Sequence, residues 1–319
     1  YLFNLFSPKF LCKWFIKEKY DILISYMEGP TSRIISGCNN SNTKKVAWIH
    51  IELNDIKKAK VGHRSITEAR KSYEKFDQII GVSENVIEFF KENITKKVPT
   101  KVLYNTNETD LIKRLALEPI DFNFDQNTIN ICSVAKIMWN KGFDRLIDAH
   151  KRLIDEGFYH NINILGIGED KNVLEKRIKE LNLESSFKFI GFHENPYKYM
   201  SKNDLYVCSS RREGFSTAVS EALILGIPVV STNCSGAQEL LGKNNEFGIV
   251  TENSTDGIYE VRVITLQKSI RILCFQDEGT LVVLTNAFVK KTQKTPKKEI
   301  KLAENLKIEY LKQKEDEKR

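Results

Sequence analysis

Short apolar runs alternate with amphipathic stretches through most of the chain. Asp21-Ile-Leu-Ile-Ser-Tyr26 and the runs at 45–51, 78–83 and 101–105 are bounded by polar or turn residues, which predicts strands, the first of them buried. Between them, residues 31–36, 65–73 and 84–90 space their apolar positions as helices do. A polar stretch at 118–128 has no clear period, and beyond it the alternation resumes. Strands are predicted at 128–134, 161–165, 187–191, 205–210 and 247–250, with helices at 143–156, 171–181 and 235–240. Such succession predicts βαβ units and parallel sheets. After residue 254 the pattern changes. Runs at 258–264, 269–275 and 281–289 predict a meander of three strands, and 297–318 a charged helix that starts near Pro296. The chain divides into residues 1–118, a linker at 119–128, a second unit at 129–254 and a tail at 257–319. The fold class is α/β, followed by a small α+β tail.

The stretch from 205 to 231 carries the most chemistry. A strand ends in small polar residues, and Arg211-Arg212-Glu213-Gly214 makes the turn. Ser216 is a good helix N-cap, with Ala218, Val219, Ala222 and Leu223 at helical spacing behind it. Gly226 closes the helix, Pro228 prevents its continuation, and Val229-Val230 begin the next strand. Glu213 thus lies just beyond the carboxyl end of a strand, and Glu221 about one and a half turns into the helix. Ligands of open α/β sheets bind beyond strand carboxyl ends, and helix N-termini attract phosphate. Two carboxylates there can hold sugar hydroxyls around a diphosphate. Taken alone, two glutamates also fit an exposed loop and a solvated helix face.

Glu213-x7-Glu221 followed by Ala222-Leu-x-x-Gly226-x-Pro228-Val-Val-Ser231 resembles the signature of glycosyltransferase family 4. Ser133-Val-Ala-Lys136 and Asn140-Lys141-Gly142-Phe-Asp-Arg-Leu-Ile-Asp-Ala149 resemble that family's phosphate-binding strand end and helix start. Ile164-Leu-Gly166-Ile-Gly168, Phe189-Ile-Gly191-Phe and Asn195-Pro196-Tyr197 follow in the family's order, and Ser235-Gly236-Ala237-Gln238-Glu239 resembles its segment beside the donor. The similarity spans residues 20–254. It implies a GT-B-like pair of Rossmann-like domains that transfers a hexose-type sugar from a nucleotide-sugar donor to a glycan or lipid-linked acceptor. It also implies retention of anomeric configuration and no metal or other cofactor. Glu221 would hold the ribose hydroxyls, Glu213 would contact the donor hexose, and His50 would face the sugar as the second catalytic residue. Lys136, Lys141 and Gly142 would neutralise and cradle the diphosphate, and Gly214, Phe215 and Ser216 would complete the donor site. Lys136 stands where the family usually has Arg, a point charge in place of a bidentate fork. The family opens with a strand and a glycine-rich turn that nothing before Asp21 supplies, so a truncated first sheet is expected.

The chain has 319 residues and a formal net charge of +7. Its six cysteines, at 12, 38, 132, 208, 234 and 274, form no Cys-x-x-Cys and no metal spacing. They read as reduced residues of a cytoplasmic protein rather than a disulfide framework. No apolar run reaches the roughly 18 residues of a membrane span. Residues 1–20 mix aromatic and aliphatic positions with Lys9, Lys13, Lys17 and Lys19. They fit a helix packed on a sheet, or one lying on the inner membrane face.

The tail contains fourteen Lys and Arg against nine Asp and Glu, so most of the excess positive charge sits there. Tyr259-Glu-x-Arg262, Arg271-Ile-Leu-x-Phe275 and Ala287-Phe-x-Lys290-Lys291-Thr-x-Lys-Thr-Pro296 are similar to phage-derived HigB toxins of the RelE/ParE-like class. That similarity implies RNA contact through Arg262, Arg271, Lys290 and Lys291, with a solvated basic helix as the plainer reading. Three functions therefore stand: a sugar transferase, a fragment of an mRNA interferase, and a non-catalytic fusion of the two.

Overall fold

The computed structural model describes residues 5–53, 60–251 and 253, and the backbone of 259–264, 269–277, 280–283 and 288–289. Contacts divide the chain into two units, Tyr1–Thr106 with Arg212–Ser216, and Asn107–Arg211 with Thr217–Arg319.

In the first unit the apolar runs become β1 (Ile22–Ser25), β2 (Lys44–Ile49), β3 (Gln78–Gly81) and β4 (Thr100–Val102). They pair in parallel in that order, without reversal. Helices α1 (Pro8–Phe15), α2 (Pro30–Ser36), α3 (Ile66–Tyr73) and α4 (Glu84–Asn93) alternate with them. Serine caps set three helix starts. Ser7, Ser65 and Ser83 accept the amides of Phe10, Glu68 and Val86 at 3.1–3.2 Å. Ala47 and Ile49 of β2, Ile79 of β3, Tyr73 of α3 and Phe90 of α4 meet in the core. Large aliphatic and phenyl side chains such as Ile49, Ile79 and Phe90 contribute about 1.5–3 kcal/mol each on burial. Arg33 of α2 is wholly buried, held by Glu68 at 3.1 Å and by the Phe6 carbonyl at 2.8 Å.

Two sequence expectations are corrected here. β1 is not a buried strand. It forms the sheet edge among the described residues, and Ile22 and Ile24 are more than half exposed on a face that no described element covers. Nor are all cysteines reduced: Cys12 of α1 and Cys38, just after α2, form a disulfide across a Cα separation of 5.5 Å. Gly37 permits it, since a Cβ there would lie 1.9 Å from the Pro8 carbonyl oxygen. Cys132, Cys208 and Cys234 are buried and outside any disulfide.

The second unit opens with α5 (Thr109–Leu115), a helix not read from the sequence. Residues 118–128 carry no helix or strand. Its strands are β5 (Ile129–Val134), β6 (His160–Leu165), β7 (Phe187–Gly191), β8 (Leu205–Cys208), β9 (Val229–Thr232) and β10 (Ile249–Thr251). They lie in the order β10-β9-β8-β5-β6-β7, all parallel. The intervening helices are α6 (Phe143–Asp155), α7 (Lys171–Glu180), α8 (Tyr197–Met200), α9 (Thr217–Ile224) and α10 (Ala237–Leu241). Alternate residues of the strands feed two cores. Ile162 and Ile164 join Phe143, Ile147 and Leu174 of α6 and α7, whereas Cys132 and Leu165 join Met200, Val219 and Leu241 of α8, α9 and α10. The sheet is therefore doubly wound, with its strand order reversing between β5 and β8.

In the tail, β11 (Tyr259–Ile264), β12 (Ser269–Asp277) and β13 (Thr280–Val283) form an antiparallel meander. The third expected strand is divided, its last part appearing as β14 (Phe288–Val289), which also pairs with β12. The expected C-terminal helix lies outside the described residues.

Candidate nucleotide site

The second unit's strand order places its crevice beyond the carboxyl ends of β5 and β8. The loops after these two strands meet at that edge. After β5 a 3₁₀ turn, Trp139–Lys141, leads to Gly142 and the N-terminus of α6. Gly142 has φ 68°, and a Cβ there would sit 2.1 Å from the Ser209 carbonyl oxygen. Glycine is required on both counts. Ser209, just after β8, donates its hydroxyl to the Lys141 carbonyl at 2.8 Å, and the Arg211 amide donates to Asn140 O at 2.7 Å. These bonds hold the start of α6 against the end of β8, with its free amides at the crevice, an arrangement suited to phosphate.

Asp144 in the first turn of α6 would oppose an anion, but Arg211 covers it with two bonds of 2.7 Å. The Arg211 guanidinium also lies 4.7 Å over the Trp139 ring. Burial pushes the Asp144 carboxyl up, and Arg211 more than offsets this, so it is held below the usual range. Sequence reading missed this pair, because residues far apart in the chain give no periodic signal. Lys136 is exposed beside the same loop, with no ion pair among the described residues. Lys141 is half-buried at the turn's end.

Next to this phosphate-sized position lies a cavity of about 660 Å³. Val134, Ala135 and Lys136 line it from the end of β5, Leu165 to Gly168 from the end of β6, and Phe192, His193 and Tyr197 from beyond β7. Gly166 and Gly168 bring two loops together, since a Cβ at either would meet the carbonyl oxygen of Ala135 or Ile137 at 1.9 Å. Apart from Lys136, Glu194 and the ring atoms of His193 and Tyr197, the wall is apolar, which suits a planar base or another flat group. Glu221 of α9 is half-buried and accepts the Tyr197 hydroxyl at 3.1 Å. Burial pushes its carboxyl above the usual range, and the Tyr197 bond partly opposes that.

The remaining sequence candidates belong to the first unit. His50 directly follows β2, and its amide donates to Glu28 at 3.0 Å. Its ring lies near those of Tyr26 and Trp48, at 5.0 and 6.3 Å, and its Nε2 is buried without a hydrogen-bond partner. Gly214 meets the same backbone, since a Cβ there would lie 1.8 Å from the His50 carbonyl oxygen. Phe215 stacks on Tyr104 at 5.1 Å and packs on the first unit's core. Glu213 is half-buried and Ser216 immediately precedes α9. The structure thus brings His50 together with Gly214, and separately gathers Lys136, Lys141, Gly142 and Glu221 in the second unit. Arg262 and Arg271 oppose each other in the β11–β12 register, and Lys290 and Lys291 lie outside the described residues.

Residues 118–266 match the family described as glycosyl transferases, group 1. Residues 238–307 match the phage derived protein Gp49-like family. A Campylobacter jejuni protein named N-acetylgalactosamine-N,N'-diacetylbacillosaminyl-diphospho-undecaprenol 4-alpha-N-acetylgalactosaminyltransferase is 37% identical over 238 residues, covering 74% of this chain and 60% of its own. An uncharacterized glycosyltransferase of Methanocaldococcus jannaschii is 30% identical over 210 residues, covering 63% of this chain and 51% of its own. The chain thus spans between one half and three fifths of these relatives. In fold it is similar to Anabaena HepE, solved in complex with UDP, with a TM-score of 0.60 at 20% identity over 77% of this chain and 68% of that one. The α/β fold with parallel sheets is structurally similar to that of GT-B glycosyltransferases. Among the described residues no helix is long and apolar enough to cross a membrane.

Proposed function

We propose that the chain is a glycosyltransferase that moves a hexose-type sugar from a nucleoside diphosphate sugar to a glycan or lipid-linked acceptor. One observation carries this reading: the Gly142-capped start of α6 at the strand-order reversal, next to an apolar cavity walled by Tyr197, the partner of Glu221. The diphosphate fits the α6 amides with Lys136 and Lys141, the base fits the cavity, and the ribose fits Glu221. The similarity to HepE, whose structure holds UDP, supports the donor class. We assign Glu213 and His50 to the donor sugar. The lysines and amides offset negative charge as the diphosphate leaves, without a metal and with retention of configuration. Calorimetry with uridine, guanosine and adenosine diphosphate sugars tests the site. Glu221→Ala should weaken binding roughly ten- to a hundredfold, from the about 1.5–3 kcal/mol of a charged hydrogen bond. Equal binding by that variant, or none by the parent, overturns the assignment.

The N-terminal segment supports contact with the membrane that would carry a lipid-linked acceptor. Phe10, Trp14 and Phe15 of α1 are exposed next to Lys9 and Lys13. Sedimentation with anionic vesicles tests it, and equal sedimentation by Trp14→Ala refutes it. A second reading, RNA contact by the tail, is favoured only by the Gp49-like match. It requires that expression of the whole chain slow translation, and unaffected translation removes it.

A further inference from the structure

Tyr197 has no assigned role, yet its position is unusually well defined. Its amide donates to Asn195 Oδ1 at 3.1 Å, and the Asn195 amide donates in turn to Leu115 O and Glu118 Oε2 at 2.8 and 2.9 Å. These bonds fix the start of α8 to the end of α5. The ring forms part of the cavity wall, and its hydroxyl donates to Glu221 Oε1 at 3.1 Å. The other carboxylate oxygen, Oε2, has no hydrogen-bond partner among the described residues. A glutamate on a helix otherwise has freedom about three side-chain bonds. One hydrogen bond to a fixed phenol selects a single orientation.

We propose that Tyr197 is a positioning residue, which holds one oxygen of Glu221 so that the other faces a vicinal diol, and thereby selects ribonucleotides over 2′-deoxyribonucleotides. This rests on the nucleotide-sugar reading above. A hydroxyl pair on the ligand donates two bonds where a 2′-deoxy sugar donates one. The loss is felt only if the carboxylate is fixed with that one oxygen towards both hydroxyls, because a freely rotating one accommodates either. The electrostatics keep the pair intact. Burial and the adjacent Glu221 push the Tyr197 phenol up to about 12, so it remains a donor at neutral pH. Burial and Tyr197 are the two influences on the Glu221 carboxyl.

The test is calorimetric titration of the whole chain with uridine, guanosine and adenosine diphosphates and their 2′-deoxy counterparts. Parent, Tyr197→Phe and Glu221→Ala are compared between pH 5.5 and 8. Phenylalanine keeps the ring in the wall and removes only the hydroxyl. The parent should prefer the ribo form by about tenfold. In Tyr197→Phe that preference should collapse towards unity, while affinity for the deoxy form changes by less than about twofold. Weakening of ribonucleotide binding on acidification should also begin at a higher pH in the variant, because the bond that draws the Glu221 carboxyl down is gone. A Tyr197→Phe protein that keeps the parent's preference overturns the proposal, as does equal loss for both forms, which marks a packing role. If Glu221→Ala weakens binding and Tyr197→Phe does not, the positioning role alone is wrong. If no diphosphate binds the parent, the nucleotide reading falls, and this proposal with it.

Discussion

The two parallel sheets share one pairing rule and differ in strand order. The first runs β1-β2-β3-β4 and never reverses. Among the described residues its connections all step the same way, so its strand order has no switch point. The second reverses between β5 and β8, and the helices that follow those strands, α6 and α9, join different cores. Gly142 and Ser209 lie at that divergence, and the cavity lies beside it, beyond the ends of β5, β6 and β7. Similar βαβ units thus yield an edge in one case and a candidate ligand site in the other. The order of strands, rather than their composition, makes the difference.

The comparison is broken most directly by cutting equivalent side chains. Ile164 of β6 is fully buried between two layers, and Ile24 of β1 is more than half exposed. Ile164→Ala should cost about 2–5 kcal/mol of stability in urea denaturation, and Ile24→Ala about 0.5 or less. Equal costs would mean that β1 is covered as a central strand is.

Acid should separate the units next. In the second, His160 Nδ1 lies 2.8 Å from the Phe158 carbonyl oxygen, His150 Nδ1 2.8 Å from His160 Nε2, and His150 Nε2 2.8 Å from Ser186 Oγ. With His160 donating to that carbonyl, the chain closes with both rings neutral, and a further proton sets two N–H groups against each other. Burial, with the neighbouring His160, pushes His150 down to about 3. The unfolded chain therefore binds the extra proton. Stability is complete above the ordinary value near 6.5 and falls as the pH drops below it, by about 2 kcal/mol at pH 5. Burial also lowers His63 in the first unit, but its ring nitrogen bonds a backbone carbonyl and Glu68 favours the charged form, so the loss there is smaller. Hydrogen exchange at pH 5 and 7 should show β6 losing protection before β3. The reverse order refutes the assignment.

The smallest effect concerns charge at α6. Arg211→Ala uncovers the Asp144 carboxylate beside the phosphate position, and diphosphate affinity should drop about three- to tenfold, from about 1 kcal/mol of repulsion. Asp144→Asn in the same protein should restore it. Failure of that rescue would show that Arg211 acts in another way.

Much of this was legible without coordinates. Helix and strand signals are local, set by side-chain period, caps and breakers within a few residues. So 143–156, 187–191 and the turn at Gly226 were readable, and Gly142 and Lys141 could be placed at a helix start. α5 was missed because its apolar positions are too few to make a period against the charged residues around it.

What the sequence by itself determined is the alternation of elements, the glycines where backbones must approach, and the strand ends at which Lys136, His50 and Glu213 sit. What only the tertiary structure decided are the pairings across long separations: Cys12 with Cys38, Arg211 with Asp144, Tyr197 with Glu221, and the exposure of β1. None of these leaves a local trace, because each depends on which strand lies beside which. That order is a balance over the whole core rather than a property of any short stretch.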